Sequence, residues 1–172
     1  RAKEFAAEEE IPLNRVYPDI DAFIDGELSL PENKRIQVVS IVTPNFLHYD
    51  HSRKLMENNF HVICEKPVTI SSAEAMDLHE IALRKERVFC ITHTYTGYPM
   101  VREMKRRIEA GAIGEIQRVE AQYLQGWINP IIHGGGGKLA TWRLDPKISG
   151  ISSCMADIGV HAFNLIEYTT GL

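Results

Sequence analysis

Residues 36–42 (IQVVSIV) form an almost unbroken β-branched apolar run, the signature of a strand buried on both faces of a parallel sheet. Two shorter apolar runs follow, at 61–64 (HVIC) and 88–92. Between the first two, residues 44–59 predict a helix with Phe46, Leu47, Leu55 and Met56 near one face. Between the last two, residues 71–85 predict another, opened by Ser71 and Glu74 in a capping-box pattern. Strand, helix, strand, helix, strand is a run of βαβ units. Upstream, residues 2–10 (AKEFAAEEE) are strong helix formers ended by Pro12, Val16-Tyr17 predicts a short strand, and 19–25 predict a short helix stopped by Gly26. Downstream, residues 99–110 read as an amphipathic helix closed by Gly111.

The pattern changes after Gly114. Residues 115–124 (EIQRVEAQYL) alternate polar and apolar, as a strand with one wet face does. Residues 129–153 are loop-rich, and 156–168 predict a buried helix. The expected fold is therefore α/β: a doubly wound parallel sheet in residues 1–97, then, in 98–172, the start of an α+β domain with an open, mainly antiparallel sheet.

Length alone, 172 residues, argues for one domain. A formal charge of −4 speaks against a nucleic-acid partner that depends on a large positive field. No apolar run approaches the ~18–20 residues that span a bilayer, so no membrane partner is expected. Three cysteines (Cys64, Cys90, Cys154), at no metal-ligand spacing, read as reduced thiols of a cytoplasmic protein. The chain begins at Arg1 inside a helical pattern and stops at Leu172 just after one, which reads as a piece of a longer protein.

Ligands of doubly wound sheets bind outside the carboxyl ends of the strands. Three such ends need inspection: Thr43-Pro44-Asn45, Glu65-Lys66-Pro67 and Thr92-His93-Thr94-Tyr95. The first offers backbone N–H groups to an anionic or amide-bearing ligand, or is an ordinary helix start. The second places a lysine where it can hydrogen-bond a reacting oxygen, or is a surface Glu–Lys pair. Asp157 and His161 stand four apart on one predicted helix face. There the imidazole can take a proton while the carboxylate orients it or holds substrate; a helix-stabilising pair is the ordinary alternative. As a metal half-site that pair lacks further ligands, as do His48 and His51, and no metal is expected. Gly134–Gly137 with Lys138 fails as a phosphate loop, because Ile132 and Leu139 stand where glycine and Ser/Thr are needed.

Thr-Pro-Asn-x-x-His (Thr43 to His48), Cys-Glu-Lys-Pro (Cys64 to Pro67) and Asp-x-Gly-x-His (Asp157 to His161) occur in that order. The order and intervals resemble the Gfo/Idh/MocA family of NAD(P)-dependent oxidoreductases, over essentially the whole chain. Residues 92–99 (THTYTGYP), Gly111-x-x-Gly114-Glu115 and Trp142-Arg143 add to the likeness. The resemblance implies a Rossmann-type sheet, NAD or NADP as cofactor, and hydride transfer to or from a secondary alcohol of a sugar or cyclic polyol. It implies Lys66 beside the nicotinamide and the reacting carbinol, His161 as general base, and Asp157 on a substrate hydroxyl or on the imidazole. Thr43, Pro44, Asn45, His48, Glu65 and Pro67 would line the cofactor, with Trp142 and Arg143 as further wall residues and Tyr95 on the substrate side. A homo-oligomer, dimer or tetramer, built through the C-terminal sheet is implied too.

Two other readings stay open: a glycosidase of the same fold that uses NAD transiently, and a non-catalytic sensor or scaffold. The family opens with a strand and Gly-x-Gly-x-x-Gly, absent here, so the first βαβ unit is expected to lie outside this sequence. The 172 residues then hold most of one domain and the beginning of a second, with sheet edges that a longer chain would cover.

Overall fold

The computed structural model describes residues 2–126, 129, 133, 145–146 and 152–172. Three strands, β1 (Val38–Ile41), β2 (His61–Cys64) and β3 (Phe89–Ile91), form a parallel sheet in the order β1-β2-β3. Val38 faces His61, Ile41 faces Cys64, and Cys64 faces Ile91 in register. Helices α1 (Ala2–Glu8) and α2 (Ile20–Leu28) precede the sheet. Helix α3 (His48–Glu57) joins β1 to β2, and α4 (Ser72–Lys85) joins β2 to β3. Both crossovers, right-handed by the general rule, carry their helices to one face, where α3 packs on α4. Leu55, Met56, Phe60, Val62, Cys64, Leu78 and Ile81 close the core there, with Ile24 and Ile41.

Helix α5 (Pro99–Glu109) ends at Gly111, whose φ of +73° suits glycine. A wide π turn (Met155–Gly159) then leads into α6 (Val160–Thr170). Helix α6 packs on α5, where Lys105 Nζ lies 4.3 Å from the Tyr168 ring centroid, and on the turn Thr94–Gly97 after β3. No helix among the described residues is long and apolar enough to cross a membrane.

Several expectations need correction. Val16-Tyr17 is not a strand: Tyr17 spends its hydroxyl on Glu27 Oε1, at 2.8 Å, and its ring on Gly26. Gly26 does not stop α2, which runs on to Leu28; the glycine leaves room for that ring inside the helix. Residues 36–42 are not buried on both faces. Val38 is 50% and Val42 75% exposed, because they alternate with Val39 and Ile41 and point to the face away from α3 and α4. The alternating segment 115–124 forms no strand, since no described segment lies alongside to supply a ladder. The helix expected at 156–168 starts as a π turn and is not wholly buried, Phe163 being 66% exposed.

Candidate functional site

Parallel strands deliver their carboxyl ends to one side of the sheet, so the three loops singled out in the sequence converge. Each ladder runs one rung past its strand: Glu65 N–H donates to Ile41 O at 3.0 Å, and Thr92 N–H to Cys64 O at 3.0 Å. Those rungs fix the bases of the second and third loops. In the first, Pro44 precedes a single 3-10 turn, Asn45–Leu47, that feeds α3. His48 opens α3 with a side chain only 1% exposed. Its Nδ1 lies 2.7 Å from Pro67 O and its Nε2 2.8 Å from Thr43 O. Both ring nitrogens are therefore taken by main-chain carbonyls of the first two loops. The Lys66–Pro67 peptide is cis.

Helix α6 completes the site from the far end of the sequence. Lys66 Nζ donates to Asp157 O at 2.7 Å and to Asp157 Oδ1 at 2.9 Å, a half-buried ion pair across 91 residues of sequence. Asp157 lies in the π turn, an uncommon element often found at functional sites. His161 follows four residues later on α6, edge-on to the Tyr95 ring at 4.8 Å between centroids. Tyr123 stacks beside His161 at 6.4 Å, and its hydroxyl pairs with that of Tyr95. The space beside Gly159 is taken by the tip of Met155, 2.7 Å from where a Cβ would stand.

Burial, then the neighbouring Lys66 and His93, pushes the His161 pKa below its ordinary 6.5, outweighing Asp157 and Glu65. Burial also lowers His93, helped by Lys66 and opposed by Glu167. An imidazole so placed is neutral near neutral pH and can accept a proton. Hydrogen bonding to Tyr123 raises the Tyr95 hydroxyl, with burial adding to it.

Three buried polar atoms at this end of the sheet have no hydrogen-bond partner among the described residues: Thr43 Oγ1, Thr92 Oγ1 and His93 Nδ1. Buried polar groups are ordinarily satisfied, so orphans clustered at strand ends fit a polar ligand resting there. Lys66, Asp157, His161 and Tyr95 come together as a group, and Thr43, Pro44, Asn45, Glu65 and Pro67 stand on the adjoining loops. Trp142, Arg143 and the glycine run lie outside the described residues. Tyr123 and His93 were not among the expected site residues. His93 lies within a strand-end loop that the sequence singled out; Tyr123 carried no signal beyond its place in an alternating segment.

This arrangement can be set beside known proteins. The NAD-binding Rossmann fold of the GFO/IDH/MocA oxidoreductase family matches residues 1–93, more than half of the chain, and the C-terminal domain of the same family matches residues 101–172. The chain belongs to the Gfo/Idh/MocA oxidoreductase family. It is 33% identical, over 97% of its length, to the uncharacterized oxidoreductase YfiI of Bacillus subtilis, of which it covers 42%. It is 32% identical, over 83% of its length, to levoglucosan dehydrogenase of Pseudarthrobacter phenanthrenivorans, of which it covers 35%. Among solved structures, an inositol dehydrogenase homolog from Azotobacter vinelandii in complex with NAD+ superposes with a TM-score of 0.92 at 33% identity, over 99% of this chain and 43% of that one. The chain thus spans less than half the length of these Gfo/Idh/MocA relatives. Its three-stranded sheet is one winding of the Rossmann-type NAD-binding fold.

Proposed function

We propose that the full-length protein carrying this chain oxidises a secondary alcohol of a sugar or cyclic polyol, with NAD(P) as partner. The observation that carries this reading is the meeting of Lys66, Asp157 and His161 at the ligand end of a Rossmann-type sheet. The named chemistry of the levoglucosan dehydrogenase and of the inositol dehydrogenase homolog supports the substrate class. The orphaned Thr43, Thr92 and His93 atoms suit the nicotinamide end of the cofactor. Thr43, Pro44, Asn45, Glu65 and Pro67 would hold it, and Trp142 and Arg143 would join them. When bound, the cofactor supplies the acceptor for the hydride.

The chain's own residues do the rest. An ammonium has three N–H donors, and Asp157 takes two of those on Lys66, at its main-chain and carboxylate oxygens. One N–H remains for the carbinol oxygen. Neutral His161 takes the hydroxyl proton while the carbon–hydrogen bond breaks and the C=O bond forms. Lys66 then stabilises the oxygen as negative charge gathers on it. The Tyr95–Tyr123 pair walls the imidazole. Holding carbinol and base in register lowers the barrier by proximity. We place the change from cofactor domain to substrate domain at residues 97–98.

The test uses the full-length protein with NAD+ or NADP+ and a panel of cyclic polyols and sugars that includes myo-inositol and levoglucosan, following the absorbance of reduced nicotinamide. Lys66→Ala is expected to lower kcat by about a hundredfold or more. Cofactor affinity should change little. Near-normal turnover in Lys66→Ala, or no turnover of any panel member by the unmutated protein, overturns the reading.

A further inference from the structure

We propose that His48 is a positioning residue: its buried imidazole clamps the loop after β1 to the loop after β2 and thereby sets where the Lys66 ammonium stands. The proposal rests on the reading of Lys66 given above.

The geometry is specific. The main-chain ladder between β1 and β2 ends with Glu65 N–H on Ile41 O. Two residues further along each chain, at Thr43 and Pro67, the link is carried by the His48 ring, with contacts of 2.8 and 2.7 Å. Pro67 is the residue directly after Lys66, so the carbonyl held by His48 belongs to the turn from which the lysine projects. At its other end that lysine is held by Asp157. His48 therefore fixes the root of the side chain, and Asp157 its tip.

Burial sharpens the point. At 1% exposure, neither contact of the ring can be exchanged for water at low cost. Both partners are carbonyl oxygens, which only accept. An imidazole presents two nitrogens on opposite edges of one rigid ring; the doubly protonated ring donates to both carbonyls, and the neutral ring donates to one and turns its lone pair toward the other. The amide side chains offer nothing equivalent. Glutamine and asparagine carry both donors on one nitrogen and turn an acceptor oxygen toward the second carbonyl. Replacing His48 by Gln puts a flexible amide, with its donors on one nitrogen and an oxygen toward the second carbonyl, where the rigid two-edged ring stood, and so loosens the clamp.

The readout lies in another residue. Lys66 is one of the charges that depress His161; the others facing it are His93, Asp157 and Glu65. A Lys66 set free by loss of the clamp moves its charge away from His161. We expect His48→Gln in the full-length, substrate-free protein to raise the NMR titration midpoint of His161, in the direction that Lys66→Met raises it. In a Lys66→Met background, His48→Gln is expected to add no further shift. A purely structural role moves the melting temperature and leaves that midpoint in place. In the dehydrogenase assay, His48→Gln should lower kcat between about tenfold and a hundredfold, with a smaller change in the KM for cofactor.

An unmoved His161 midpoint with unmoved kcat overturns the clamp while leaving the proposed function intact. A raised midpoint in a protein that turns over no sugar or polyol upholds the clamp and overturns the function. Should His48→Gln fail to fold, the unmutated protein decides. A His48 ring N–H protected from solvent exchange upholds the clamp, and a freely exchanging one overturns it.

Discussion

A single side chain is the scale at which this site is tuned. Burial, Lys66 and His93 all favour the neutral form of His161. In the proposed reaction the neutral form accepts the hydroxyl proton, so kcat/KM should rise with pH through the folded pKa and level off. The acid limb should fall below pH 6.5. Asp157 opposes that depression, so Asp157→Asn is expected to drive the His161 midpoint lower still, as an NMR titration would show. A second buried group serves stability. Glu27, in α2, has a side chain with no exposure at all and accepts from Arg15 Nη2 at 2.7 Å, Tyr17 Oη at 2.8 Å and Ile36 N at 2.9 Å. Burial alone would raise its pKa; the Ile36, Tyr17 and Arg15 bonds outweigh that and leave it lowered. Glu27→Ala should cost about 3 kcal/mol in urea unfolding, because it strands those donors. Nothing in the sequence marked Glu27, since its three partners are 9 to 12 residues away and meet it only when the chain folds back.

Elements show where local rules hold and where packing overrides them. Helix α4 begins as its sequence says, with the Ser71 side chain accepting from Glu74 N–H. The Glu74 carboxylate reaches back to Ile70 N–H, one residue before the position a strict capping box uses. Ser71→Ala should therefore cost about 1 kcal/mol of thermal stability. Gly26 shows the reverse. Glycine inside a helix costs ~1 kcal/mol relative to alanine, so by propensity alone Gly26→Ala would stabilise α2. An added Cβ would instead stand 2.3 Å from Tyr17 Cε1, well inside contact. Overpacking of that kind costs about 1–3 kcal/mol. Gly26→Ala is expected to lower the melting temperature, and to become neutral or stabilising in a Tyr17→Ala background. The sheet follows the same logic. The apolar run of β1 was legible, but its burial was not, because burial depends on what packs against each face of the sheet.

Across the whole molecule, the shifted histidines and glutamates give the acid-side response one sign. His51, His93 and His161 are all lowered from 6.5, chiefly by burial. A histidine depressed in the folded state contributes stability that is fully present above its unfolded pKa and is lost as pH falls through the folded one. Glu27, Glu57 and Glu103 are lowered from 4.5, Glu103 to about 2, so their contribution is likewise lost toward acid. The melting temperature should thus decline below pH 6.5 and fall further below 4.5. A melting temperature that rises with acid in that window would contradict these environments. The sequence by itself determined the alternation of the three parallel strands with α3 and α4 and the residue types at each strand end, because apolar period, caps and turn residues act over a few positions. It also carried the three motifs that mark the Gfo/Idh/MocA family. The tertiary structure decided which of those residues meet. Lys66 finds Asp157 across 91 positions, His48 bridges Thr43 and Pro67, and Tyr123 closes on His161. Such contacts exist only after the sheet has brought its loops to one end and α6 has packed against α5, since buried polar groups acquire partners from the packing around them rather than from their neighbours in sequence.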